Sequence, residues 1–365
     1  MARCVRCILD KLWKAIYGPA RKRFSAMCDN EPARWARPGL RPANQNWEDY
    51  LCKRSQDGWL SAARWLCRSC RRRALAAEKI LASVPGLSFP FFVHMMNAFK
   101  AEIEKQGYEA IESDGQVSSP KQTADVEAAI TQGVKGIVIS PNEVDAMAPA
   151  LLQAVEAGIP VVTVDRRVPS VEGILAHVGA DNVKGGEAQG NLIVSMFPDG
   201  ATIINLQGQS GASPAIDRNK GLHNVLDGMS DKYKIVFEQT AGFARDKGLA
   251  VTEAALAGLA EAPKVIVAAN DDMALGAMEA VKARGLTGIA IIGFDALPEA
   301  LAQVRDGGLT ATIEQFPGQQ SAIGVQTIVA FLKDGTKPAE KVLLLTPVAI
   351  TKDNLHIAER LGEVK

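Results

Sequence analysis

The sequence predicts an α/β protein built from two doubly wound parallel-sheet lobes, preceded by a segment of different character that ends near residue 73. Three observations carry this reading. From Lys79 onward, short β-branched runs alternate with polar turns and with stretches of about ten to fifteen residues that show helical periodicity. The strand candidates are continuous Val/Ile/Leu runs, as expected of parallel strands covered on both faces. Ten or eleven of them fall in the 289 residues from Ala77 to Lys365. That exceeds one comfortable open sheet and implies two.

In chain order the expected strands are 80–84, 108–113, 136–140, 161–164, 177–179, 202–206, 234–238, 265–269, 290–293, 311–313 and 342–345. The helical patterns between them include 93–106, 124–132, 147–157, 215–229, 245–259, 273–284 and 319–332. In open parallel sheets a ligand sits beyond the carboxyl ends of the strands. The polar and aromatic residues concentrate there. The first strand is followed by Ser88-Phe89-Pro90-Phe91-Phe92, expected to form a loop. The third is followed by Ser140-Pro141-Asn142 and the fourth by Asp165-Arg166-Arg167. Later strands end in Asn270-Asp271-Asp272, Gly293-Phe294-Asp295 and Glu314-Gln315. Taken singly, such residues are helix N-caps, surface ion pairs or packed rings. Together they suit a carbohydrate, whose C–H faces pack on rings and whose hydroxyls need both donors and acceptors.

The first 73 residues differ in kind. They hold 17 Lys+Arg against 6 Asp+Glu, whereas the remainder holds 24 against 35, so a net charge of zero conceals balances of +11 and −11. All six Cys and all five Trp lie before residue 73, and all four His lie after it. Pro19, Pro32, Pro38 and Pro42 interrupt any helix there. Cys4-x-x-Cys7 and Cys67-x-x-Cys70 have the pair spacing of a zinc knuckle, but 59 residues separate the pairs, against the usual 15 to 20 or so. A basic arm for nucleic acid, from Arg21-Lys22-Arg23 and Arg71-Arg72-Arg73 with interleaved Trp, is a second reading. The segment is expected to be non-globular, an out-of-register stretch or a wrongly chosen start that replaces most of a signal peptide. Ala74-Leu75-Ala76 has the small residues of a cleavage site, but Cys67 to Arg73 is not an apolar core. The zero net charge argues against a nucleic-acid binder, and no apolar run of about 18 residues is present to span a membrane.

At the residues quoted the chain resembles the ribose-binding family of periplasmic sugar-binding proteins. The resemblance runs from Glu78 to the C-terminus. It rests on Pro90-Phe91-Phe92, Val164-Asp165-Arg166, Ala180-Asp181-Asn182 with Gly185-Gly186, Leu206-Gln207-Gly208, Asn270-Asp271 with Met273-Ala274-Leu275-Gly276, Gly293-Phe294-Asp295 and Thr312-Ile313-Glu314-Gln315. It implies the type I periplasmic binding protein fold, two lobes joined by a three-crossing hinge. The lobes would be 77–180 plus 316–345 and 181–315 plus 346–365, with 1–76 as an extension. The resemblance further implies that Phe91 and Phe92 wall the site from one lobe and Phe243 from the other. Asp165, Arg166 and Arg218 would grip hydroxyls, Asn270, Asp295 and Gln315 would supply the remaining polar contacts, and Phe294 would line the pocket beside Asp295. Phe89 and Ser140 stand where ribose binders are expected to carry Asn. A ring in place of an amide removes two donors and an acceptor and fills space. That suits a smaller, deoxy or differently oriented ligand better than one with an extra hydroxymethyl group, and a pentose, a four- or five-carbon polyol and a deoxy sugar stay open. The expected partners are that ligand, an ABC-transporter permease with its ATPase, and a chemoreceptor. The protein would be a periplasmic monomer without cofactor, metal, catalytic residues or nucleic acid.

Two rival functions fit the same fold class. A sugar-responsive transcription regulator shares the two-lobed fold but needs a helix-turn-helix before the first strand, and none is legible in residues 1–73. An α/β enzyme would be marked by G-x-S-x-G, a phosphate-loop Lys or G-x-G-x-x-G after a strand. None occurs, and Gly208-Gln209-Ser210-Gly211 lacks the Lys. His94 and His177 read as packed side chains.

Overall fold

The computed structural model describes residues 77–365. The expectations for residues 1–76, including the Cys pairs, the basic runs and the replaced leader, lie outside the described residues. In chain order the elements are β1 (Lys79–Val84), α1 (Pro90–Lys105), β2 (Glu109–Asp114), α2 (Ser119–Thr131), β3 (Gly136–Ile139), α3 (Ala148–Glu156), β4 (Val161–Val164) and β5 (Ala176–Ala180). There follow α4 (Asn182–Met196), β6 (Ala201–Gln207), α5 (Ser213–Leu226), β7 (Tyr233–Thr240), α6 (Arg245–Gly258), β8 (Val265–Ala268), α7 (Asp271–Ala283), β9 (Ala290–Ile292) and α8 (Pro298–Asp306). The chain closes with β10 (Thr312–Glu314), α9 (Pro317–Asp334), β11 (Val342–Leu345) and β12 (Val348–Ile350).

These strands form two parallel sheets, one in the order β11-β5-β4-β3-β1-β2 and one in the order β7-β6-β8-β9, and β10 pairs antiparallel with β12. Successive residues of a strand face opposite sides, so Ile80 packs with Met95, Phe99, Val138, Val162 and Ile328 under α1 and α9. Its neighbour Leu81 packs with Val126, Ile137, Ile139 and Leu151 under α2 and α3. The second sheet repeats this. Ile203, Val265 and Val267 face Ile193 and Leu222 of α4 and α5, while Ile204, Ile266 and Ala268 belong with Met273 and Leu275 of α7. The chain leaves the first sheet after β5, returns through Phe316 into α9, and leaves again after β11. The result is the expected pair of doubly wound lobes with three crossings.

The structure departs from the sequence reading in four places. Ser88 to Phe92 is not all loop: Pro90 occupies the first helical turn, so Phe91 and Phe92 belong to α1. A proline there has the fixed φ a helix needs and lacks an amide that would be unpaired anyway. Helix α4 was not anticipated, because Gly185, Gly186 and Gly190 dilute its helical signal. Helix α8 and strand β12 were also missed, at only 9 and 3 residues. Among the described residues no helix is long and apolar enough to cross a membrane, and no group of three or more His, Cys, Asp or Glu side chains could hold a metal ion.

Candidate ligand-binding site

Both sheets change strand order beside their first strand, between β1 and β3 and between β6 and β8. Such switch points open a crevice at the carboxyl ends of the strands. A cavity with about 350 Å³ of empty volume lies there, lined by Phe89, Phe91, Phe92, Asp165, Arg166, Pro214, Arg218, Phe243, Asn270, Asp295 and Gln315.

The rings and guanidinium groups interleave. The Arg166 guanidinium lies 5.2 Å from the Phe92 ring centre and 5.7 Å from that of Phe243, and Arg218 lies 5.9 Å from Phe243 and 3.5 Å from Phe294. Phe243 is thus shared by both cations. Stacking on π faces offsets part of the lost hydration of these buried groups. Phe91 and Phe92 meet edge to face at 5.2 Å, and Phe89 meets Phe92 the same way at 6.2 Å.

Each cation has an acid beside it. Arg166 Nε is 3.8 Å from Asp165 Oδ2, and Arg218 Nη1 is 3.4 Å from Asp295 Oδ1. Arg166 is also held by the Asn142 carbonyl at 2.6 Å, whereas its Nε is buried without a hydrogen-bond partner. Arg218 donates to Asn182 Oδ1 at 2.8 Å and to the Ala269 carbonyl at 2.6 Å. Gln315 Nε2 donates to Asp295 Oδ1 at 2.6 Å. Asn270 caps α7 by accepting from the Met273 amide at 3.0 Å and donates to the Phe243 carbonyl at 3.0 Å. It is therefore both helix cap and cavity wall.

Burial dominates the ionisation of these groups. It raises the Asp295 pKa to about 7 against the lowering effect of Arg218, and it raises that of Asp165 against Arg166 and Arg218. It lowers Arg166 to about 10, and Arg218 also shifts down. Backbone strain is concentrated here as well. Asp165, Phe243 and Asp295 have φ of 63°, 64° and 107°, the left-handed region that non-glycine residues rarely occupy. Such strain persists where surrounding structure enforces it, commonly at functional sites.

Ten of the twelve expected site residues line this cavity. The other two, Ser140 and Phe294, lie behind it. Phe294 is fully buried behind Arg218 and is a platform for its guanidinium instead of a pocket wall. Ser140 is turned to Asp165, donating to its Oδ2 at 3.2 Å, and does not line the cavity. Its hydroxyl is too short to extend past that carboxylate as an amide would. Pro214 was missed. Like Pro90, it opens a helix just beyond a strand end, and that parallel was the available signal. Asn142, in the quoted Ser140-Pro141-Asn142 turn, supports Arg166 from behind.

Residues 80–337 match the periplasmic binding protein domain family. The ribose import binding protein RbsB of Escherichia coli (strain K12) is 36% identical over 275 residues, 75% of this chain and 90% of that protein. Its counterpart in Bacillus subtilis (strain 168) is 41% identical over 235 residues, 64% of this chain and 75% of that protein. Among solved structures, the Caulobacter myo-inositol binding protein bound to myo-inositol superposes with a TM-score of 0.76 at 41% identity, covering 78% of this chain and 97% of that one. The two sheets, their crossings and these likenesses place the chain in the periplasmic binding protein family, as a ribose-binding-like member.

Proposed function

We propose that the protein binds one neutral monosaccharide or small polyol between its lobes and delivers it to the permease and ATPase of an ABC transporter. The observation that carries this is the balance of the cavity, in which two guanidinium groups alternate with two carboxyl groups between phenyl walls. Such a ring offers both donors and acceptors, and each guanidinium has a carboxyl group beside it that offsets its charge. An anionic or cationic ligand would leave a buried charge unmatched, whereas a polyhydroxylated neutral one satisfies both kinds of partner. Within the proposed lobe ranges, 77–180 plus 316–345 and 181–315 plus 346–365, Phe92 and Asp165 belong to one lobe and Arg218 and Asp295 to the other. A ligand between them binds the closed form better, and that difference drives closure. Membership of the family supports a periplasmic location and a role in binding instead of catalysis.

Phe89 on the cavity wall and Ser140 turned away from it favour a compact ligand without an extra polar arm. Relatives are named for ribose, xylitol and, in the Caulobacter structure, myo-inositol. A thermal-shift screen of the full chain against D-ribose, xylitol, myo-inositol, deoxy pentoses and hexoses tests the proposal. At least one neutral polyol should raise the melting temperature by mass action. No response to any of them, with a response to an amino acid or an organic acid, would overturn it.

A further inference from the structure

On one rim of the cavity, segments that follow the first-sheet strands meet segments that follow β6, through contacts that do not involve the cavity itself. Val144 N donates to the Gly211 carbonyl at 3.0 Å, Arg167 N donates to Ser213 Oγ at 3.0 Å, and Gln209 Nε2 donates to Asn142 Oδ1 at 3.3 Å. The strongest link is a two-pronged ion pair between Arg167 and Asp217, with Nη2 2.9 Å from Oδ1 and Nη1 bonded to Oδ2. Asp217 is buried, whereas the Arg167 side chain is 38% exposed, so solvent screens the pair in part and its two-bond geometry carries the remainder. The fork geometry adds direction, since parallel N–H bonds to both carboxylate oxygens fix distance and angle together.

The position of this pair in the chain gives it leverage. Arg167 directly follows Arg166, and Asp217 directly precedes Arg218. Arg166 and Arg218 line the cavity and share the Phe243 ring, whereas their neighbours pair with each other at the rim. Arg166 extends the bridge by donating to Gln209 Oε1 at 3.3 Å. Holding the rim closed therefore holds the two guanidinium groups at their spacing about Phe243.

We propose that Arg167 and Asp217 are a positioning latch that sets the affinity for the ligand without touching it, by stabilising the closed arrangement of the segments that carry Arg166 and Arg218. This rests on the reading of the cavity as the polyol site. The apparent dissociation constant equals the intrinsic one divided by the fraction of molecules in the binding-competent arrangement. Removing the latch lowers that fraction and weakens every ligand by the same factor, leaving the preference among ligands unchanged.

The test combines calorimetric titration with hydrogen exchange on the full chain, using wild type, Arg167→Ala, Asp217→Ala, the double variant and the swap Arg167→Asp with Asp217→Arg. The probes are myo-inositol and D-ribose. Each single variant should weaken binding roughly two- to ten-fold, the double variant no further, and the swap should recover most of the loss. The ratio of the two affinities should stay at its wild-type value. Without ligand, amides in 142–146 and 209–217 should exchange faster in the single variants, while those of β6 and β8 should not change. Unchanged rim exchange in the ligand-free single variants, additive losses, or an altered affinity ratio would each overturn the latch. If neither polyol binds wild type, the reading of the cavity is what fails, and the ligand-free exchange still decides the latch.

Discussion

Asp165 and Arg218 show how much of the site depends on single side chains. Each is buried, lines the cavity and keeps atoms free after its protein contacts. Replacing either by Ala removes charge-assisted bonds worth about 1.5–3 kcal/mol each. Asp165→Ala and Arg218→Ala should therefore abolish the ligand-induced thermal shift while the ligand-free protein still unfolds cooperatively. A wild-type shift in both variants would put the site elsewhere. Asp295 supplies a pH dependence. Burial raises its folded pKa to about 7, well above the ordinary carboxylate range. The folded state thus holds the proton more tightly than the unfolded chain. Its stabilising contribution is complete below about pH 4 and is lost as pH rises through about 7. In denaturant unfolding of the ligand-free protein, Asp295→Asn should gain stability relative to wild type between pH 4.5 and 7.5. A constant difference across that range would contradict the assignment. Ligand hydroxyls that donate to Asp295 favour its ionised form, so wild-type affinity should fall as pH drops below 7.

At the scale of elements, the arrangement of α4 and α5 controls where Arg218 sits. A Cβ on Gly186 would lie 2.0 Å from the Arg218 carbonyl oxygen, and one on Gly221 would lie 2.0 Å from that of Val183. The two helices therefore touch backbone to backbone, and only glycine permits it. Gly186→Ala must push them apart, at about 1–3 kcal/mol or more for overpacking a rigid contact. The same displacement should withdraw Arg218 from Phe294. We expect a lower melting temperature together with weaker ligand binding, measured by thermal unfolding and calorimetry. A fully stable variant with lower affinity would mean that only the side chain had moved. Gly186 is a motif residue in the sequence and a contact point of α4 in the structure. Low helix propensity hid α4, because a local scale cannot register that a neighbouring backbone requires the missing side chain.

For the whole molecule, among the described residues the cavity lining and both sheets lie between Lys79 and the C-terminus. A chain beginning at Ala77 should therefore fold and give the same thermal shift as the full sequence. A loss of ligand response on truncation would give residues 1–76 a role in binding. Two lobes, their three crossings and the cleft were legible from the alternation of apolar runs, the strand count and the family motifs. The cleft followed because parallel sheets place their free strand ends, and so their polar residues, on one side. Most individual strands were legible to within a residue or two, since a buried parallel strand announces itself as an unbroken apolar run. β12 did not, because its antiparallel pairing with β10 depends on where the third crossing returns the chain.

The fold class was readable in the chain alone, because apolar periodicity and side-chain type are local properties. Only the tertiary structure decided that Phe294 supports Arg218 from behind, that Ser140 serves Asp165, and that Arg167 and Asp217 meet across the rim. Those outcomes are distances between residues far apart in sequence. Which of two adjacent side chains enters the cavity depends on φ at positions such as Asp165, which packing holds at 63° against its own preference.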